Sequence, residues 1–204
     1  PFMDAPQDYI QYVEFQLAAY TTSYGDKTRY MTNWNEVIRE LLTHQLFGRQ
    51  LNKKLPLSAD LLTALAAQPS SYAKMTTLYR HVQQHIDWNG LSGKYTEAGV
   101  KEAWEKKKAS NAELNLILIN LLQHAGLEAY PLLVSERGNG KVNTETPMVG
   151  QFNTVMAYVL IDSNRYVLDG ASKGTPPFLM PLSVVNTKAL VIDRKKGGII
   201  DLTE

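Results

Sequence analysis

Residues Ala109–Val134 read ASNAELNLILINLLQHAGLEAYPLLV, and the fold turns on them. Ser110 and Glu113 give S-x-x-E, the spacing of a capping box. There the N-cap hydroxyl accepts from the N3 amide, and the N3 carboxylate reaches back to the N-cap N–H. Leu114, Ile117, Leu118, Leu121, Leu122 and Ala125 follow on one helical stripe. Leu116 and Ile119 add apolar groups off the stripe, which predicts a helix buried nearly all round. His124 falls in the last turn, where a cation suits the helix dipole. Gly126 stands where a helix commonly stops in the left-handed conformation. Leu127–Val134 then predicts a strand, through apolar content rather than clean alternation. Pro131 within it predicts an edge or a bulge, because proline has no N–H for a ladder.

The rest of the chain is read outward from this unit. Pro1–Gln7 reads as a linker from a preceding domain. Asp8–Ala19 alternates in part and predicts a strand, and Tyr20–Lys27 a loop. Thr32 or Asn33 caps a helix from Trp34 to Phe47, which Gly48 stops. Ser58 caps a short helix through Ala67. Ser70 or Ser71 opens another to about Ile86, and Glu97–Lys107 holds a further short one. Beyond the central unit, Ser135–Gln151 is a long loop, often a functional feature in a compact domain. Phe152–Ile161 predicts a strand paired with Arg165–Leu168 across a turn at Asp162–Asn164. Gly170–Pro181 is irregular, and Ala189–Asp193 and Ile199–Leu202 form a last hairpin. Residues 8–108 are thus mainly helical, and residues 109–204 are a central helix plus a sheet. That order predicts a single α+β domain over 1–204, its buried helix packed on an antiparallel sheet.

Composition narrows the function. The chain has 204 residues, 44% of them apolar, enough for one sizeable core. A net charge of +1 implies no general attraction to nucleic acid or to anionic membrane. No apolar run approaches eighteen residues, so no membrane insertion is expected. The chain opens PFMDAP, without an initiator Met, and reads as part of a longer precursor. There is no cysteine. That removes disulfides, thiolate metal sites and the strongest side-chain nucleophile.

Six runs in order, ASNAELNLIL, AGLEAYPLLVS, ERGNGKV, QFNTVMAYV, RYVLDGAS and LMPLSVVN, resemble the transglutaminase-like, papain-related fold. The resemblance is to its form in secreted, multi-domain bacterial proteins. It covers Trp34 to the C-terminus, most firmly Ala109–Asn186. It implies a nucleophilic cysteine at the first turn of the central helix, then a histidine and an aspartate on two later strands. In this chain the cysteine position falls on Asn111. The histidine position falls on Thr154, or on Asn153 one residue earlier, and the aspartate position on Asp169. An amide is no nucleophile at neutral pH, and threonine is no general base. The resemblance therefore implies a non-catalytic module, binding or scaffolding within an exported protein, periplasmic or cell-surface. It further implies an N-terminal β-rich domain in the same chain, a peptide or protein ligand in the degenerate cleft, and no cofactor. The competing reading is an amide hydrolase or acyl transferase with a nucleophile other than cysteine.

Other residues are candidates for that site. Ser110 as a nucleophile needs a base within about 3 Å. The histidines His44, His81, His85 and His124 all fall on predicted helices. His124, on the same helix, lies roughly 20 Å away at 1.5 Å per residue, so Ser110 reads as a cap. Trp104, just before the central helix, is a candidate for lining the groove or for the core. Arg137 is a candidate for binding a carboxylate or phosphate there, or an exposed loop charge. His81 and His85 share a helix face but lack a third ligand, so no metal site is expected. Lys106–Lys108 and Arg194–Lys196 read as solvated surface.

Overall fold

A computed structural model describes residues 5–11, 13, 15, 17, 19–29 and 33–203. The elements follow the expected order. A short hairpin, β1 (Ala19–Thr21) with β2 (Lys27–Arg29), precedes the helices α1 (Trp34–Thr43), α2 (Ala59–Ala66) and α3 (Ser71–His85). A two-residue parallel pair, β3 (Asp87–Trp88) and β4 (Lys108–Ala109), brackets α4 (Val100–Lys106). The central helix α5 (Asn111–His124) leads into β5 (Glu128–Val134), β6 (Thr154–Ile161), β7 (Asn164–Leu168), β8 (Thr187–Val191) and β9 (Gly198–Leu202). The class is α+β, as the sequence implies.

Helices α1, α2, α3 and α5 begin where short polar side chains accept an N3 amide, whereas α4 starts after Gly99 with no side-chain cap. Asn33, Ser58, Ser70 and Ser110 take the N–H of Glu36, Leu61, Ala73 and Glu113 respectively. α1 stops at Thr43, short of Phe47. His44 leaves the helix in an extended conformation, and its carbonyl takes the N–H groups of Phe47 and Arg49. Gly48 then comes so close to the Leu42 backbone that a Cβ would lie 2.2 Å from its carbonyl oxygen. The glycine permits the chain to fold back on α1 rather than ending the helix itself.

α5 is buried at every residue from Asn111 to Leu122. It packs on α3 and α4 on one side and on β5 and β6 on the other. Burying a Leu or Ile side chain contributes roughly 1.5–3 kcal/mol, and Leu116, Ile117, Leu118, Ile119 and Leu122 are all fully enclosed. Gly126 ends the segment at φ +78, as its position predicts.

The five strands are antiparallel in the order β7-β6-β5-β8-β9. Pro131 therefore sits in the central strand and not at an edge, correcting the sequence reading. Its carbonyl accepts from Ile192, and the β5–β8 ladder spans only Leu132–Val134. The missing N–H faces the side on which that ladder has already ended, so no bond is lost. The sheet is covered on both faces. α5 covers one. On the other, Leu132, Val134, Met156, Tyr158, Val167 and Val191 form a second cluster with Val184 and Met180. Two-sided burial explains why β5 and β6 read as continuous apolar runs instead of alternating. Asp162 and Ser163, at φ +49 and +69, make the tight turn between β6 and β7.

The N-terminal segment departs from expectation. Pro6–Tyr9 is a 3-10 turn, Ala5 is fully buried, and the Asp8 carboxylate accepts from the Lys141 N–H at 2.8 Å. Ala5 of the expected linker and Asp8 of the expected strand are thus docked, while residues 1–4 of the linker lie outside the described residues. Gln11, Val13, Phe15 and Leu17 carry no strand, and Tyr12, Glu14, Gln16 and Ala18 of the expected strand lie outside the described residues. The expected loop Tyr20–Lys27 is the β1–β2 turn. Among the described residues no helix is long and apolar enough to cross a membrane.

Candidate functional site

The first turn of α5, the first residue of β6 and the residue after β7 meet at one place. The Thr154 hydroxyl donates to Asn111 Oδ1 at 2.7 Å, and Asn111 Nδ2 donates to Asp169 Oδ1 at 3.2 Å. Each element fixes one side chain. Ser110 caps α5 and places Asn111 at its N1 position. Thr154 is set opposite Val134 by the β5–β6 register. Asp169 follows Leu168, which pairs with Ala157. The following Gly170 is held so close that a Cβ would lie 3.4 Å from the Leu114 carbonyl oxygen and 3.3 Å from Val82. The structure thus brings together Asn111, Thr154 and Asp169.

Asn115 completes the cluster, and sequence reasoning missed it. It lies one turn after Asn111 and is fully buried. Its Nδ2 donates to Asp169 Oδ1 at 2.9 Å and to the Asn111 carbonyl at 3.2 Å, and its Oδ1 accepts from Gly170 N–H at 2.8 Å. Asn111 and Asn115 stand four apart, a spacing that shares a helix face, but the spacing does not say that the face is buried. Asp169 Oδ1 also takes the Ala171 N–H at 3.0 Å. Burial raises the Asp169 pKa, against the lowering effect of the Asn115 and Ala171 donors, and the Glu136 charge raises it further. Behind it, the Tyr79 hydroxyl donates to the Asp169 carbonyl at 3.1 Å. Burial, with the Asp169 charge, pushes that phenol above its ordinary range.

The site is closed at its centre. Asn111 and Thr154 are 6% and 3% exposed, while Asp169 is half-buried. Three amides at this helix end are also engaged. Asn111 N–H donates to the Leu91 carbonyl at 2.9 Å, and Glu113 N–H to Ser110 Oγ at 3.3 Å. Ser110 N–H donates to Glu113 Oε2 at 2.8 Å. These three groups are therefore not spare donors for a substrate oxyanion. Glu113 does more than close the capping box. Its Oε1 accepts the N–H groups of Glu97, Ala98 and Gly99 at 3.0, 2.7 and 2.9 Å. One buried carboxylate thereby ties the entry of α4 to the entry of α5.

The other candidates go elsewhere. Ser110 is a buried cap. Asn153 faces away from Asn111: it accepts from the Glu136 N–H at 3.0 Å and donates to the Glu136 carboxylate at 2.8 Å. Trp104 belongs to the main core, with its indole N–H on the Pro56 carbonyl at 3.0 Å, so it does not line the cluster. Arg137 is exposed in a 3-10 turn and lines a cavity of about 370 Å³ with Ser135, Lys141 and Lys188, which none of the three clustered positions lines. His81 and His85 stack on each other. Among the described residues no group of three metal-ligating side chains forms.

Side chains and backbone at this cluster form a closed chain of hydrogen bonds with a carboxylate at one end. It holds neither a nucleophile nor a base of the cysteine–histidine type. No protein-family model matches the chain, and no curated protein matches it. The fold is shared with a solved structure from Parabacteroides distasonis. That protein, a "putative protease" of strain ATCC 8503, superposes with a TM-score of 0.55 at 11% identity, over 82% of this chain. This chain spans 30% of that one's length. A solved transglutaminase structure also matches, with a TM-score of 0.39 at 15% identity, over 65% of this chain and 38% of that one. The first likeness speaks to fold alone. The nucleophilic cysteine of a cysteine protease or transglutaminase is absent here, because the chain has no cysteine.

Proposed function

We propose that this chain is a non-catalytic, transglutaminase-like module that binds or scaffolds within an exported bacterial protein. The observation that carries the reading is the hydrogen-bonded set Asn111, Thr154 and Asp169 at the three positions where the sequence resemblance puts a catalytic triad. Acyl transfer needs an activated nucleophile, a base for its proton and free donors for the oxyanion. At this cluster an amide and a hydroxyl bond to each other, and the N–H groups of Ser110, Asn111 and Glu113 are taken. A peptide or protein ligand would meet the cluster only at the half-buried Asp169. An N-terminal β-rich domain is part of the same reading. Val13, Phe15 and Leu17, at 78%, 91% and 61% exposure, favour such a neighbour, since successive odd residues here present large apolar groups to solvent.

The test is turnover. The purified domain is expected to hydrolyse or transamidate peptide amides no faster than background. Turnover that is lost in Ser110→Ala or Asp169→Ala would overturn the reading in favour of a hydrolase or transferase with a non-cysteine nucleophile.

A further inference from the structure

Between α2, α3 and α4 lies a pocket of about 600 Å³ with an electropositive wall. Arg80, His81 and His85 of α3 line it, with Lys107 after α4, Trp104, and Asp60 of α2 as the one carboxylate of the lining. His81 and His85 stack with ring centroids 4.2 Å apart and 20° between planes. His85 Nδ1 lies 3.0 Å from the His81 carbonyl, which can only accept, so this nitrogen carries the hydrogen. Burial holds the His81 pKa down to about 4, helped by His85 and Lys107, so that ring is neutral at pH 7.

Lys107 is placed by an unusual backbone. Its φ is +54, the left-handed conformation that ends helices and that glycine normally supplies. The turn sets its ammonium 3.8 Å from the Trp104 ring centroid, and burial lowers its pKa. Among the described residues neither Arg80 nor Lys107 makes an ion pair, and the Asp60 carboxylate has no hydrogen bond or ion pair. The exposed Arg80, Lys107 held over the Trp104 ring, and an imidazole therefore line a roomy, partly apolar pocket against a single carboxylate.

We propose that this pocket binds a ligand through an oxyanion group, a carboxylate or a phosphate, held by Arg80 and Lys107 with its apolar part against Leu61 and Pro56. The guanidinium fork suits two oxygens at once, and the ammonium adds a point charge. The site is separate from the Asn111 cluster and does not depend on the module being non-catalytic.

The experiment follows the histidine ring signals by NMR while sodium phosphate or sodium benzoate is added, with sodium chloride keeping ionic strength constant. The expected result is a saturable shift of His81 and His85 with at least one probe, and phosphate against benzoate tells the two oxyanions apart. The His81 pKa should rise on saturation, since a bound anion favours imidazolium. Arg80→Gln and Lys107→Gly should each weaken binding at least tenfold, and Lys107→Gly suits the left-handed backbone, so loss of folding is not the cause. Shifts that grow linearly with both probes, or saturation unchanged in both variants, would overturn the proposal.

Discussion

The hydroxyl of Thr154 donates to Oδ1 of Asn111 at 2.7 Å, across the junction between the sheet and the central helix. Both residues are buried, so neither group has water as an alternative partner. Thr154→Val keeps the shape of the side chain and leaves the amide oxygen without its donor, which should cost about 1–3 kcal/mol. Asn111→Ala and the double variant complete a cycle whose coupling should fall at roughly 0.5–3 kcal/mol. Urea melts of the four proteins measure it. A coupling near zero would mean that the bond does nothing for stability.

Glu113 is expected to matter more than its serine partner in the capping box. Ser110→Ala removes one cap bond and should cost about 1 kcal/mol. Glu113→Ala strands four buried or half-buried amides, those of Glu97, Ala98, Gly99 and Ser110. At roughly 1–3 kcal/mol for a buried donor left unsatisfied, the loss should rival Leu118→Ala, expected at about 2–5 kcal/mol for an emptied core site. Denaturant midpoints would rank the three. Glu113→Ala melting no earlier than Ser110→Ala would contradict the double role.

Two groups make stability depend on pH with opposite signs on the acid side of neutrality. The Asp169 pKa is raised by burial, so between its unfolded and folded values the native state binds the extra proton. Its contribution is present below the unfolded value and is lost as pH rises through the folded one. The His81 pKa is lowered to about 4, so from about 6.5 down to 4 the unfolded state binds the extra proton, and stability falls with acid. Asp169→Asn keeps an oxygen for the Asn115 and Ala171 donors and should make the acid-side loss of stability steeper. His81→Gln should make it shallower. Melting temperatures from pH 4 to 7 would show it, and variants that shift the profile in the same direction would contradict one of the two assignments.

The core unit was legible because its signals are local. The Ser110–Glu113 box, the apolar run of α5 and Gly126 each act within a few residues of chain, and all three sit as read. The convergence of Thr154 and Asp169 on Asn111 was legible only through ordered motifs, since nothing in the local sequence of a strand says which helix it meets. Pro131 misled because the cost of its missing N–H depends on where the neighbouring ladder ends, which is a tertiary fact. Asn115 was missed because a buried asparagine has the same sequence signature as an exposed one. For Trp104 the sequence left groove and core open, and its membership of the main core, with its indole N–H on the Pro56 carbonyl, decides for the core. The second role of Glu113 depends on three amides of a distant turn, and no spacing rule covers that.

Whether Asn111, Thr154 and Asp169 still hold the geometry of a catalytic triad is tested most directly by rebuilding one. The double variant Asn111→Cys with Thr154→His, leaving Asp169 in place, puts a thiol at a helix N-terminus beside an imidazole. Both favour thiolate. The measurement is the rate of alkylation by iodoacetamide at pH 6, against a free model thiol. The expected result is a rate clearly above the model thiol, reduced when Asp169→Asn is added. A cysteine that reacts no faster than the model thiol, in a variant that is still folded, would contradict the proposal that these three positions are a triad turned to structural use.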